Sequence, residues 1–193
     1  MAPRLILASA SPRRRELLRR LVPEFEVIPS DVDESLDPGS LVEAVAGLAE
    51  RKARAVAAGH RDAVVIGADT IVVIDDAALG KPSDAAEAVS MLKRLRGRPH
   101  DVVTGIAVVA AGRVFAGTET TRVVMARYGD DVIDCYAASG SPLDKAGGYA
   151  VQDLDGALVD AVIGSYTNVV GFPLGLARRL LAEVGFPLSA PPA

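Results

Sequence analysis

The sequence predicts an α/β fold in which helices flank a mixed, twisted sheet. Short apolar segments alternate with amphipathic helix patterns, which favours parallel strands joined by helices. One long stretch, DVVTGIAVVAAGRVFAGTETTRVVMARY, instead has the β-branched alternation of a hairpin that turns at Gly112. Because a hairpin adds antiparallel strands, the sheet is expected to be mixed and the fold is not a purely parallel, doubly wound one.

The first elements in order are a strand over 4–8, a helix over 12–21, a strand over 25–29 and a helix over 41–58. Ser40 is the predicted N-cap of that long helix. The continuous apolar run AVVIGAD predicts a buried central strand that ends at Asp69. A second strand and a turn are expected in TIVVIDDAALG.

The remaining elements are a helix in SDAAEAVSMLKRLRG capped by Ser83, the hairpin, a helix near 129–138, a Gly-rich loop, a strand near 157–163 and a helix near 172–184. The length is that of one domain, or of two small lobes that share a core. We predict a single domain over residues 1–188 and a frayed tail, SAPPA, over 189–193.

Composition excludes several classes of function. The net charge of −4, from 21 basic and 25 acidic residues, argues against binding to nucleic-acid polymers or membrane surfaces. No stretch has the roughly 20 apolar residues of a membrane span. The chain has a single cysteine, Cys135, which we interpret as a core or helix residue. Because one cysteine cannot form an intrachain disulfide, a reducing, cytoplasmic location is expected. An apolar face on the C-terminal half is compatible with a homodimer.

An anion site is indicated where the first strand meets the first helix. A hydroxyl-rich turn, Ser9 to Pro12, precedes three arginines, Arg13 to Arg15. Backbone N–H groups and guanidinium groups at a helix N-terminus bind anions such as phosphate. The helix dipole disfavours cations there, so an anionic ligand would offset the repulsion. The alternative is that these arginines only solvate a helix face.

Charged residues elsewhere have both a functional and a structural interpretation. Asp69 ends a central strand, where α/β folds bind ligands, but it could also cap a loop. Pro82 stiffens the backbone next to Lys81, which would place this lysine to bind a ligand. The alternative is a solvated lysine in a turn. Lys52 is interpreted, on the sequence alone, as part of a solvated helix face. Glu34, in an acidic loop, is a metal ligand or a solvating side chain.

The segment DKAGGYAVQ combines charge, two glycines and an amide. Gly147 and Gly148 would let the backbone approach a ligand closely. Gln152 has the donor and the acceptor needed to read the edge of a base. A plain turn is the alternative. No P-loop, G-x-G-x-x-G or G-x-S-x-G motif is present, and His60 and His100, expected at the surface, do not suggest a zinc site.

Taken in order, these segments resemble the Maf family of nucleoside triphosphate pyrophosphatases. The resemblance rests on LASASPRRRELL, the acidic stretch ending at Glu34, AERKA, IGADTIVV, LGKPSD, RLRGRPHDVVTGIAVV and SPLDKAGGYAVQ through GSYTNVVGFPL. Each motif is weak by itself, but the seven in order cover residues 5 to about 175.

The resemblance implies an elongated fold with two lobes around a cleft, similar to inosine triphosphate pyrophosphatases. It implies hydrolysis between the α and β phosphates of a nucleoside triphosphate with Mg²⁺ or Mn²⁺. Asp69 would be the proton acceptor that activates water and a ligand of the metal, and Glu34 would help with the metal or the water. The implied phosphate-binding residues are Ser9, Arg13, Arg14, Lys52 and Lys81.

The resemblance also bears on the substrate. The dTTP/UTP branch of the family carries Arg, Thr and Gln where this chain has Arg13, Thr70 and Gln152. The branch that prefers 7-methyl-GTP tends to have an aromatic residue, Gln and Glu there. Two alternatives stay open: a pyrophosphatase for 7-methyl-GTP or other modified nucleotides, and a nucleotide-binding regulator of cell division.

Overall fold

The computed structural model describes residues 3–188, so the tail predicted to be frayed, 189–193, lies outside the described residues. Its strands are β1 (Arg4–Leu7), β2 (Glu26–Val27), β3 (Ala63–Ile74), β4 (Ala77–Leu79), β5 (Pro99–Ala110), β6 (Arg113–Met125) and β7 (Val159–Ile163). Its α-helices are α1 (Pro12–Arg19), α2 (Leu41–Ala57), α3 (Ala85–Leu95), α4 (Asp130–Ala138), α5 (Tyr166–Val169) and α6 (Leu174–Glu183). Three short 3₁₀ turns, Ser141–Asp144, Ala146–Gly148 and Asp153–Gly156, lie between α4 and β7.

The strands form a mixed sheet in the order β2-β1-β3-β5-β6-β7, with β4 paired to β3. β1 runs parallel to β2 and β3, whereas the pairs β3–β4 and β6–β7 are antiparallel. The predicted α/β class with a mixed sheet is confirmed. No helix within residues 3–188 is long and apolar enough to cross a membrane.

The described chain divides into two compact units. The first holds residues 3–69, 104–119 and 170–188, and the second holds 70–103 and 120–169. The single-domain boundary at 188 stays a prediction.

The first unit buries apolar side chains on both faces of its strands. Alternate residues of a strand point to opposite faces. Leu5 and Leu7 therefore join a cluster with α1 and α6, whereas Ile6 and Ala8 join a cluster with α2. The α2 cluster is rich in alanine, so that helix lies close to the strands.

The second unit has its own core. Leu92 and Leu95 of α3 and Ile133 of α4 pack with Val102 of β5 and Met125 of β6, and all five side chains are buried. Cys135 lies on α4 and is exposed, so it is a helix residue, as predicted, but not a core one.

The predicted β5–β6 hairpin is confirmed. Only Ala111 and Gly112 separate the two strands, and their φ angles are 48° and 77°. A two-residue connection with positive φ at both positions has the geometry of a type I′ turn, whose twist matches that of the strands.

Three local predictions differ from the structure. β3 is one continuous strand over Ala63–Ile74, not two strands separated after Asp69. Ser40 is the N-cap of α2 as predicted, but the N-cap of α3 is Asp84, which accepts from the N–H of Glu87 at 2.8 Å. The short helix α5 was not foreseen. β3 continues because the β-branched residues after Asp69 favour a strand and no glycine or proline interrupts them.

Candidate active site

The turn between β1 and α1 has the predicted strand–turn–helix form. Ser11 is the N-cap of α1 and accepts from the N–H of Arg14 at 3.4 Å. Ser9 is buried, and its Oγ accepts from the N–H of Ser11 at 3.2 Å and from Nη1 of Arg14 at 3.4 Å. Arg13 lies half-buried in the first helical turn. The two serine hydroxyls therefore shape the turn and orient an arginine.

Arg14 ties this turn to the backbone beside Asp69. Its Nε donates to the carbonyl of Gly171 at 3.0 Å, and its Nη1 donates to the carbonyl of Ala68 at 2.7 Å. Burial lowers the pKa of Arg14, and the negative charges of Asp69 and Glu34 oppose that shift. Arg14 thus places positive charge next to two carboxylates while it fixes the backbone that carries one of them.

Lys52 lies between those two carboxylates. Its Nζ is 2.7 Å from Oδ1 of Asp69 and 2.6 Å from Oε1 of Glu34. The Lys52 and Asp69 side chains are 6% and 14% exposed, whereas that of Glu34 is 59% exposed. The interpretation of Lys52 as part of a solvated helix face is therefore wrong, because its ammonium group is buried and paired.

A close approach of α2 to the sheet explains how Lys52 reaches Asp69. A Cβ at Gly67 would lie 2.6 Å from the carbonyl oxygen of Ala49 and 2.8 Å from the nitrogen of Ala53. Only glycine permits this packing. Gly67 and Asp69 are two residues apart on β3, so their side chains share the face that meets α2. Lys52, between the two alanines, points from the helix toward that face.

Asp69 does not occupy the strand end that was predicted. It lies within β3, whose pairing continues for five more residues to Ile74. Strand residues of β3 both precede and follow Asp69, so a strand backbone and not a loop carries the carboxylate.

The second unit holds Thr70, Lys81 and Gln152. Thr70 is half-buried, and Lys81 and Gln152 are exposed. The turn that carries Lys81 is linked to the glycine pair, because the N–H of Gly147 donates to the carbonyl of Gly80 at 2.9 Å.

The glycine pair packs against the chain itself. Gly147 and Gly148 have φ of 70° and 71°, and a Cβ at Gly147 would lie 2.9 Å from Cγ2 of Val72. Thr70 and Val72 share a face of β3. The pair therefore permits a close backbone approach to a strand side chain, whereas its approach to a ligand stays a prediction.

Sequence reasoning missed two side-chain contacts in this unit, one buried and one partly buried. His100, expected at the surface, is buried, and its Nε2 is 2.6 Å from Oη of Tyr149. Burial lowers the pKa of His100 to about 4. Tyr136 donates to Oδ2 of Asp153. The alternation along β5, which places His100 on the same face as buried Val102, could have revealed the first contact.

Two carboxylates of the first unit, Glu34 and Asp69, could together hold a divalent cation. Within residues 3–188 there is no group of three or more His, Cys, Asp and Glu side chains arranged to hold a metal ion. Mg²⁺, however, is usually held by one or two carboxylates together with substrate phosphates and water. Glu34 and Asp69, which share Lys52, supply that number of carboxylates.

Known proteins match this chain along nearly its whole length. A family model described as Maf-like protein matches residues 4–184. A dTTP/UTP pyrophosphatase of Symbiobacterium thermophilum is 46% identical over 95% of each chain. One of Desulforamulus reducens is 51% identical over 94% of this chain and 96% of its own.

A solved structure shows the fold. A HAM1 protein from Coxiella burnetii superposes with a TM-score of 0.53 at 20% identity, over 94% of this chain and 99% of its own. At that identity the likeness concerns the fold alone.

Proposed function

The chain belongs to the Maf-like protein family, and from that premise we propose that it hydrolyses dTTP and UTP to the nucleoside monophosphate and pyrophosphate. Relatives that are about half identical over nearly full length bear the name dTTP/UTP pyrophosphatase. The structural observation that carries the proposal is the Lys52–Asp69 pair, 2.7 Å between Nζ and Oδ1, in which the lysine is buried and the carboxylate is 14% exposed. A carboxylate that solvent barely reaches, with a paired cation beside it, suits proton transfer next to a polyphosphate.

In the proposed reaction Asp69 is the general base. Because Oδ1 accepts from Lys52, Oδ2 is the oxygen that takes a proton from the attacking water. The oxygen of that water then joins the α phosphorus of the α–β anhydride. The bond to the bridging oxygen breaks, and pyrophosphate leaves with the electron pair. Lys52 keeps the carboxylate in place through this step.

Cationic side chains provide the remaining stabilisation. Phosphoryl transfer depends on positioning and on neutralising charge more than on covalent help. We assign phosphate contacts to Ser9, Arg13, Arg14, Lys52 and Lys81, as the family resemblance implies. Arg14 already donates through Nε and Nη1 to backbone carbonyls, so its part is to hold the turn as well as to add charge.

The metal is assigned to Glu34 and Asp69. A bound Mg²⁺ or Mn²⁺ would neutralise charge on the phosphate oxygens and lower the pKa of a bound water. Glu34 is mostly exposed, so it can turn from Lys52 toward a cation that arrives with the nucleotide. The cytoplasmic location and the homodimer stay predictions.

The first experiment is a substrate panel with product identification. Purified protein with Mg²⁺ or Mn²⁺ is incubated with dTTP, UTP, CTP, ITP and 7-methyl-GTP, and products are resolved by ion exchange. Monophosphate and pyrophosphate from dTTP and UTP are expected, and a chelator should abolish them. Turnover of 7-methyl-GTP alone would overturn the substrate assignment. Tight binding without turnover would favour a regulator.

Base recognition is assigned to Arg13, Thr70 and Gln152. The Gln152 amide can accept from N3–H and donate to O4 of uracil or thymine. Gln152→Glu removes the donor and adds a negative charge. We expect kcat/KM for UTP and dTTP to fall about tenfold to a hundredfold, the cost of one unpaired polar group. The measurement is kcat/KM for UTP beside CTP, and an unchanged ratio would remove Gln152 from base readout.

A further inference from the structure

The segment that carries Gln152 is anchored on both sides of that residue. Three residues before it, Tyr149 is buried and its Oη is 2.6 Å from Nε2 of His100 on β5. The two rings also meet edge to face, with centroids 5.4 Å apart. His100 is neutral near neutral pH, because burial lowers its pKa to about 4. Tyr149 is thus held by a hydrogen bond within an apolar core.

The second anchor is one residue after Gln152. Asp153 accepts from the hydroxyl of Tyr136 on α4, and Nζ of Lys145 lies 3.6 Å from Oδ2 of Asp153. The Lys145 side chain is only 11% exposed. The side chain of Gln152 is exposed between these anchors. The backbone on either side is therefore fixed while the amide faces outward.

We propose that Tyr136 and Tyr149 are positioning residues that set the selectivity of the enzyme for uracil and thymine bases, by fixing the segment that presents Gln152. This inference rests on the proposed function, in which Gln152 reads the base. The reason lies in the chemistry of the amide. A glutamine amide can turn over and present the opposite donor–acceptor pattern. Uracil and cytosine differ by that same reversal at N3 and C4. Selectivity therefore depends on how firmly the segment holds Gln152 at the base, because a mobile segment lets the amide turn over or withdraw from a mismatched base.

Removing one hydroxyl tests the proposal with little change in shape. Tyr149→Phe leaves His100 without its partner, and Tyr136→Phe leaves Asp153 with Lys145 alone. Freed from one anchor, the segment should let Gln152 meet either base pattern. We expect the ratio of kcat/KM for UTP to that for CTP to fall about tenfold in each variant, with the turnover of CTP maintained or raised.

The same unit offers a matched control. Tyr128 is buried, and its hydroxyl donates at 3.0 Å to the carbonyl of Leu92 on α3, which is not part of the Gln152 segment. Tyr128→Phe removes a comparable buried hydrogen bond and should lower the melting temperature similarly. Its UTP-to-CTP ratio should stay within about twofold of the original. A purely structural role for the two tyrosines would move all three variants together.

The outcomes separate the two proposals. If Gln152→Glu changes the UTP-to-CTP ratio but Tyr136→Phe and Tyr149→Phe shift it no more than Tyr128→Phe, positioning is overturned and base reading stands. If Gln152→Glu leaves the ratio unchanged, base reading fails and positioning fails with it. Should Tyr149→Phe not fold, Tyr136→Phe decides, because its partner Asp153 keeps an ammonium group nearby.

Discussion

Asp69→Asn is expected to lower kcat for dTTP and UTP by about 10²- to 10⁴-fold, the usual contribution of a general base. The amide has nearly the shape of the carboxylate but cannot accept the proton of the attacking water. The asparagine Oδ1 can still accept from Nζ of Lys52, which lies 2.7 Å from Oδ1 of Asp69, and the residues assigned to the phosphates are unchanged. Nucleotide affinity should therefore be largely preserved. The measurements are pyrophosphate release and calorimetric binding of an analogue with a methylene bridge between the α and β phosphates.

A matched control separates loss of the base from loss of an ion pair. Asp75 pairs with Arg94 and Arg98 at the β3–β4 turn, where its φ of 52° is one that asparagine tolerates. Asp75→Asn removes an ion-paired carboxylate away from the proposed chemistry and should leave kcat unchanged. If Asp69→Asn turns over dTTP at the original rate, the assignment of the base is wrong.

Gly67→Ala is expected to lower kcat by about a hundredfold in a protein that still folds. The new methyl group would lie 2.6 Å and 2.8 Å from backbone atoms of Ala49 and Ala53, so α2 itself must shift. Overpacking of this kind costs about 1–3 kcal/mol of stability. Displacing a catalytic group by about 1 Å can cost a hundredfold in rate. Lys52 lies between the two displaced residues and would move away from Asp69.

Two other glycines show whether the loss is local. A Cβ at Gly105 would lie 2.6 Å from the carbonyl oxygen of Val45, so Gly105→Ala strains α2 one turn or more before Lys52. Gly175→Ala, in α6, fills open space. We expect the Gly67 and Gly105 variants to have comparable melting temperatures. We expect the larger fall in kcat for Gly67→Ala. Equal falls in kcat would contradict a local effect on Lys52.

Pattern and motif order were enough to predict the mixed sheet, the hairpin at Gly112 and Asp69 as a residue of interest. They did not predict the burial of Lys52. On a helix with charged neighbours such a lysine has the pattern of a solvated face, and only the approach of α2 to Gly67 brings its ammonium group to Asp69. The burial of His100 likewise depends on Tyr149, 49 residues away in the sequence. Contacts between distant residues decide both cases: the alternation along β5 could have indicated that His100 is buried, but it does not identify Tyr149 as the partner, and no local pattern indicates the approach of α2 to Gly67.

The continuity of β3 has a consequence for how the protein yields to heat or denaturant. Amides within a central strand exchange with solvent only through large openings, whose free energy approaches that of global unfolding, whereas short turns open at a much smaller cost. Asp69 belongs to the first class. Gln152, at the start of a 3₁₀ turn that is held by the side-chain contacts of Tyr149 and Asp153 and not by strand pairing, belongs to the second. As temperature or denaturant rises, local opening should therefore lower the selectivity between UTP and CTP well before it lowers kcat. Base selectivity, and not the rate of hydrolysis, would be the first property lost under conditions that open the native state locally.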